Sequence, residues 1–214
     1  MNFTDYLSSN YQNLLELSVE HIQLVLTAML CATLAGVPLG VLAHRSSLLR
    51  PTILGISAFF LTIPSLALFA IFIPVFGLGS PPAVVALTLY ALLPIVGNTV
   101  AGLDSVSPAI VKASRGMGLG TWRRLWQVEM PLAWPVIVTG LRVSTQVVIG
   151  IAAIAVFVGG PGLGNEIFRG IRSLGNPGAE NLVYGGTIGI VVIALIFDAA
   201  FVAVRRLTTP RGIR

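Results

Sequence analysis

Residues 107–131 read SPAIVKASRGMGLGTWRRLWQVEMP, the longest polar interval between strongly apolar stretches of this chain. Ser107 suits a helix N-cap and Pro108 the first helical position. The first helix is expected to run to about Met117, where Gly118 stops it, because glycine takes the left-handed C-terminal geometry cheaply. Thr121 caps a second helix, expected to end at Pro131. Trp122, Leu125 and Trp126 fall on one face of it, with Arg123, Arg124 and Gln127 elsewhere. A basic, Trp-bearing helix beside an apolar stretch points to an interfacial element.

On either side of this interval the chain is apolar. Its 214 residues are 55% hydrophobic and 10% charged, where a soluble domain would carry about 25% charge. Roughly 20 apolar residues cross a bilayer. Five windows qualify: about 21–43, 53–76, 82–103, 133–158 and 183–204. Three of them hold no Asp, Glu, Lys or Arg. The expectation is an all-α integral membrane protein of five transmembrane helices, with residues 1–214 forming one transmembrane domain and 104–132 a cytoplasmic loop.

Charge sets the orientation. Five spans put the termini on opposite sides. With the N-terminus outside, the cytoplasmic segments hold Arg45, Arg50, Lys112, Arg115, Arg123, Arg124, Arg205, Arg206, Arg211 and Arg214, ten of the thirteen basic residues. Arg169 and Arg172 lie outside, and Arg142 lies within span four. The positive-inside rule therefore predicts N-out, C-in. The same placement accounts for the net charge of +5 without a nucleic-acid partner. The first twenty residues carry Asp5, Glu16 and Glu20 and no basic residue, unlike a signal peptide.

Taken in order, residues 1–20 read as a surface helix leading into the first span. Gly36 and Gly40 flank Pro38, a spacing that serves close helix packing or, more simply, accompanies a proline kink. Span two is broken by Pro64 and Pro74, and span three by Pro94. Such breaks need neighbouring helices or a cavity to satisfy the freed backbone groups. GGPGLGNEIFRGIRSLGNPGAEN, residues 159–181, reads as a glycine-rich loop. The basic tail either anchors the last span or senses ionic strength through anionic membrane lipid.

The chemistry open to the chain is limited. Lys112 is its one lysine and there is no GxxxxGK[ST], so ATP is not bound through a P-loop. His21 and His44 lie near opposite ends of the first span, and the lone Cys31 is mid-span. The run Gly55-Ile56-Ser57-Ala58 has no histidine at matching depth, and the glycines at 159–164 do not form GxGxxG. No metal, cofactor or catalytic site is expected, and the chain is not expected to be an enzyme.

Arg142 and Asp198 lie inside spans at similar depth, and buried charges are costly unless paired or functional. They either pair, tying spans four and five together, or Arg142 snorkels while Asp198 faces a wet cavity. Thr62, Ser65, Tyr90, Asn98, Thr99, Thr145 and Gln146 either line a path or make helix–helix hydrogen bonds. Thr62, Tyr90, Asn98 and Gln146 are the leading pathway candidates.

At 112–131 the residues resemble a known pattern. Permease subunits of ABC importers carry a cytoplasmic EAA loop of consensus E-A-A-x(3)-G-x(9)-I-x-L-P. Lys112, Ala113, Ser114, Gly118, Val128, Met130 and Pro131 match its spacing, with Lys for Glu, Ser for Ala, Val for Ile and Met for Leu. TIPSLALFAIFIPVFGLGSPPAVVALTLYALLPIVGNTVAGL (62–103), RGMG (115–118, with Arg115 and Gly116) and VFVGGPGLGNEIFRGI (156–171) resemble the permeases of osmoprotectant importers, the glycine betaine/carnitine/choline group. The resemblance implies a type I ABC importer permease fold in the cytoplasmic (inner) membrane of a prokaryote.

It also implies a division of labour. Two permease subunits, the second a copy or a similar chain, make the pathway. Two cytoplasmic ATPase subunits hold ATP and Mg, and a separate extracytoplasmic binding protein delivers the solute. The EAA loop docks on the ATPase, and Lys112 leaves the family's acidic contact there open. The solute expected is a compatible one: glycine betaine, choline, carnitine or proline. A permease for another small solute, such as an amino acid, and a channel-like protein without an ATPase are the alternatives.

Overall fold

A computed structural model describes residues 2–208; Arg211 and Arg214 of the basic tail lie outside the described residues. Among those residues the chain is helical and has no strand. Its helices are α1 (Phe3–Arg45), α2 (Leu49–Thr62), α3 (Ser65–Phe76), α4 (Ser80–Asp104), α5 (Pro108–Gly116), α6 (Thr121–Arg124), α7 (Met130–Ala152), α8 (Gly164–Arg172) and α9 (Ala179–Thr208). A π-helical turn, Leu125–Glu129, joins α6 to α7, and a 3₁₀ turn, Ala153–Val158, follows α7.

The first helix is one rod of 43 residues, about 64 Å at 1.5 Å per residue. The expected surface helix over 1–20 is therefore its straight continuation. No glycine or proline occurs between Phe3 and Ala35 to turn the chain, and Tyr6 in the second turn is buried.

Four helical stretches are long and apolar enough to cross a membrane: α1, α4, α6 through Val158, and α9. The fifth apolar stretch is the pair α2–α3, bent by 101° at its break. The positions of its ends decide that it crosses. Asp104, at the end of α4, accepts from Arg50 at the start of α2, 2.8 Å away. At the opposite end of α4, the Gly79 N–H donates to the carbonyl of Val158 at 2.7 Å. The bent pair starts beside one end of this 25-residue helix and delivers the chain to the other. It spans the same thickness.

The bend occurs at Pro64 alone, because Pro74 lies within α3 and Pro94 within α4. Tyr90 closes the joint: its hydroxyl donates to the Ile63 carbonyl that the break sets free. At Pro94 the neighbouring helix supplies the support. A Cβ at Gly140 of α7 would lie 2.7 Å from the Pro94 carbonyl oxygen, so the two backbones touch.

Gly36 and Gly40 bring α1 equally close to α4. A Cβ at Gly36 would meet Ile95 at 2.8 Å, and one at Gly40 would meet Thr99 at 2.5 Å. Pro38 stays within the helix, so the small-residue pair serves packing. The main core gathers along this seam from Val25, Ala28, Phe69, Leu87, Ile95 and Ile149. A second cluster, Leu103, Leu125, Met130, Ala133 and Ile137, seats the start of α7.

The glycine-rich stretch after α7 is more than a loop, since α8 forms within it. Glycine itself lets α8 lie against its neighbours. A Cβ at Gly164 would fall 2.0 Å from the Ala153 carbonyl oxygen, and one at Gly170 would fall 2.8 Å from that of Ala179.

Candidate coupling surface and intramembrane polar sites

The helices α5 and α6 stand at the end of the molecule that carries Arg45, Arg50 and Arg124. Ser107 occupies the N-cap of α5 with no side-chain capping bond, and its carbonyl accepts from Ile110 and Val111. Pro108 is the first helical residue. Gly118 stops the helix at φ +79°, where L side chains are strained. The Leu119 N–H then closes on the Ser114 carbonyl at 3.1 Å.

Two expectations for the following segment are corrected. Gly120, rather than Thr121, is the N-cap of α6. The second helix does not end at Pro131. It passes through the π turn into α7, forming one helical stretch from Thr121 to Val158. The Met130 N–H reaches back five residues to the Leu125 carbonyl. That wider turn accommodates a proline at 131, which lacks an N–H and crowds the preceding turn. Trp122, Leu125 and Trp126 do share one side, all three lining a single groove against α1. Leu125 is buried in the second core cluster, whereas Trp122 and Trp126 are 71% and 62% exposed.

Within α5 only Ser114 is buried, its hydroxyl turned onto the Val111 carbonyl at 2.8 Å. Lys112, Ala113, Arg115, Gly116 and, just past the helix, Met117 are all exposed. The result is a short helix with small and basic side chains facing away from the body. Ion pairs hold the neighbouring α6 and the adjoining ends of α1, α2 and α4. Glu129 is buried and accepts from Arg124 Nε at 2.6 Å and from Arg45 Nη2 at 2.7 Å. Asp104 binds Arg50 and lies 2.8 Å from His44 Nδ1. Burial works against ionisation of Asp104, but the hydrogen bonds from His44 and Arg50 outweigh it and hold its carboxyl below the usual range.

In the apolar region, Arg142 meets Asp198 through two parallel bonds, Nε to Oδ1 at 2.6 Å and Nη2 to Oδ2 at 2.7 Å. The pair joins α7 to α9, with both side chains about one-third to two-fifths exposed. The four leading pathway residues are scattered. Thr62 donates to the Phe59 carbonyl within its own turn. Tyr90 holds the α2–α3 joint. Asn98 donates to Pro94 O at 2.8 Å beside the α4–α7 crossing. Gln146 donates to Ala194 O at 3.1 Å, tying α7 to α9. Thr145 and Thr99 likewise bond carbonyls of their own helices.

Two clusters escape a reading of the sequence. Ser144 donates across to the Ala91 carbonyl and Thr88 to that of Ala28, pinning α7 and α1 to α4. At the far end of the molecule Glu166 is fully buried. It accepts from the Tyr6 hydroxyl at 2.6 Å, Arg169 Nη2 at 2.7 Å and Asn13 Nδ2 at 3.4 Å. Burial first, and then the bond to Glu166, push the Tyr6 phenol well up from its usual value. A cavity of about 600 Å³ adjoins this cluster, lined by Asn165, Arg172 and Ser173 among others. The sequence signal was Glu166 itself, an acid in a glycine-rich stretch with Arg169 one turn on.

A helical domain with five apolar crossings and an exposed helix–turn–helix on one end has the build of a multi-pass membrane protein. Its residues 33–209 match the family described as the binding-protein-dependent transport system inner membrane component. The chain belongs to that family, whose members are membrane subunits of transport systems rather than enzymes. It is 40% identical to the osmoprotectant import permease protein OsmW of Salmonella typhimurium, covering all of both chains. It is 38% identical to the choline transport system permease protein OpuBB of Bacillus subtilis, covering 100% of this chain and 96% of that one. Among solved structures, the MetNI methionine ABC transporter in an inward-facing conformation has a chain of the same fold. The TM-score is 0.79 at 22% identity, covering 92% of this chain and 96% of that chain.

Proposed function

We propose that this chain is the permease subunit of an ATP-driven importer that carries a small compatible solute: glycine betaine, choline, carnitine or proline. The observation that carries the coupling part of the reading is the exposed face of α5. It presents Lys112, Ala113, Arg115 and Gly116 to a partner, ends at the left-handed Gly118, and is braced by the Glu129 ion pairs. The solute class rests on the relatives named as osmoprotectant and choline permeases, which match along the full chain.

In this reading the chain pairs with a second permease, a copy or a similar chain, and lies N-out, C-in. ATP and Mg are held by a cytoplasmic ATPase dimer, and an extracytoplasmic binding protein supplies the solute. Closure of the ATPase dimer on ATP draws the two α5 elements together. That movement passes through Leu125 and the ion-paired base into α7 and rocks the crossings outward. The binding protein then releases solute between the permeases, and hydrolysis resets the assembly. Lys112 stands where related loops carry an acid, so the ATPase groove it meets is expected to offer an acidic group.

Selectivity for a quaternary ammonium calls for an aromatic cage, and the aromatics of this chain are dispersed, so specificity is assigned mostly to the binding protein. The test is uptake of labelled glycine betaine by cells lacking their own osmoprotectant import and expressing this chain with its ATPase and binding protein. Choline, carnitine and proline serve as unlabelled competitors. ATP-dependent uptake that vanishes on deleting this chain is expected. An intact complex that imports none of these solutes overturns the solute class and moves it to another small solute, such as an amino acid.

A further inference from the structure

All three tryptophans of the chain, Trp122, Trp126 and Trp134, lie in the first part of the helical stretch from Thr121 to Val158, next to the coupling element. Tryptophan collects at the membrane–water boundary, where its apolar ring and polar N–H are both satisfied. Trp134 Nε1 donates to Thr208 Oγ1 at the end of α9. Between α1 and the exposed pair lies an apolar cavity of about 580 Å³, walled by Val37, Val41, Trp122, Leu125 and Trp126, with Arg45 at its rim. A second apolar cavity of about 350 Å³ lies on the other side of Trp126 and reaches Trp134 and Thr208. Trp126 is a fin between two grooves.

The grooves lie at the ends of two apolar stretches, the last turns of the first and the start of the fourth. At that depth the surrounding medium is the boundary between acyl chains and headgroups. The charge around them is positive on balance. Arg45 and Arg124 share the single carboxylate of Glu129, which leaves one positive charge over at the rim. Arg123, beside Trp122, and Arg205, near the end of α9, are exposed.

We propose that this pair of grooves is a binding site for an anionic phospholipid of the adjoining leaflet. Its acyl chains lie on either side of Trp126 and its phosphate meets Arg45, which lines the larger groove, with exposed Arg123 and Arg205 on the adjoining surface adding positive charge. Apolar walls supply chain burial, and the basic rim selects the headgroup, each nearby arginine favouring an anionic surface. A lipid there fills the space beneath α6 and stiffens the seat of the coupling element. This inference holds whatever solute the protein carries.

The tryptophans are their own probes. The full chain is reconstituted into phosphatidylcholine bilayers containing brominated phosphatidylglycerol or, separately, brominated phosphatidylcholine, whose bromines quench tryptophan on contact. The expected result is a roughly threefold or greater preference for the phosphatidylglycerol. The double variant Arg123→Gln/Arg205→Gln is expected to bring the preference close to parity. Val41→Phe, which narrows the larger groove, is expected to reduce it while circular dichroism stays unchanged. Equal quenching by the two lipids overturns the proposal. So does protection of Trp122 and Trp126 from both lipids once the partner subunits are added, because a protein then covers the grooves.

Discussion

Two buried glutamates, one at each end of the molecule, hold their ends together by different means. Glu129 is 3% exposed and sits between two guanidiniums, Arg45 from α1 and Arg124 from α6. Glu166 is 1% exposed and shares its carboxylate between Arg169, one turn along its own helix, and the phenol of Tyr6 from the far start of α1. At the Glu129 end the polar tie is purely ionic, set beside the second apolar cluster, and it carries an excess of positive charge. The Glu166 end is tied by one ion pair and two neutral donors, Tyr6 and the more distant Asn13, under helices packed at glycine-sized distances. A charged tie keeps its strength only while the carboxylate and both arginines remain. The far end is locked largely by shape, with Gly185 against Tyr6 and Gly186 against Ile167. One end leans on a carboxylate paired with two arginines beside an apolar cluster, and the other on glycine contacts around a carboxylate with a single ionic partner.

This contrast can be broken at several points. Removing the shared carboxylate with Glu129→Ala leaves Arg124 buried beside Arg45 with no counter-charge, a change costing about 3–5 kcal/mol. Thermal unfolding in detergent is expected to show a large loss, and a change within error would mean that the ion pairs do not hold the base of α6. At the other end Tyr6→Phe takes one donor from buried Glu166 and leaves the ring in place, so the expected loss is smaller, about 1–3 kcal/mol. It should also remove any alkaline sensitivity of that end. The raised Tyr6 phenol stabilises the fold fully below its ordinary value of about 10, and that contribution is lost as pH rises further.

Gly118 lies outside both ties, so Gly118→Val perturbs the coupling element by itself. A β-branched residue at φ +79° costs about 1–2 kcal/mol locally. The expected outcome is near-normal unfolding with poor recovery of the ATPase on purification. Full recovery of the ATPase would argue against α5 as its docking element. The smallest effect is expected at Asp104. Its lowered carboxyl contributes stability that is present above the ordinary aspartate value near 4 and lost as pH falls below it. Unfolding followed between pH 3 and 6 should therefore show an acid limb that Asp104→Asn flattens.

Much of this architecture was legible in the residues. The apolar windows gave the crossings because ~20 uncharged residues leave a chain little choice in a bilayer. Pro108 and Gly118 gave the start and stop of α5 because each fixes the local backbone. Gly36 and Gly40 marked the α1–α4 seam, and Arg142 faces Asp198 at the depth their positions in the two spans suggested. What stayed hidden depends on three-dimensional neighbours. Pro94 looked like a break, yet α7 supports it through the gap at Gly140. Pro131 looked like a stop, yet a π turn upstream makes room for it. Tyr6 and Glu166 are 160 residues apart in sequence, and no periodicity links them. The glycines of 159–181 signalled a loop, whereas several of them let α8 dock without side chains in the way.

On the proposed reading, an ATPase takes hold of the exposed face of α5. The most direct measurement places a photo-crosslinking amino acid at Met117, which is 73% exposed beside Gly118, and separately at Tyr11, exposed near the opposite end. Each variant is assembled with its partner subunits in membranes and irradiated. An adduct with the ATPase is expected from position 117, altered in yield by ATP, and none from position 11. An intact complex with no ATPase adduct at 117, or with equal adducts from both positions, would contradict it.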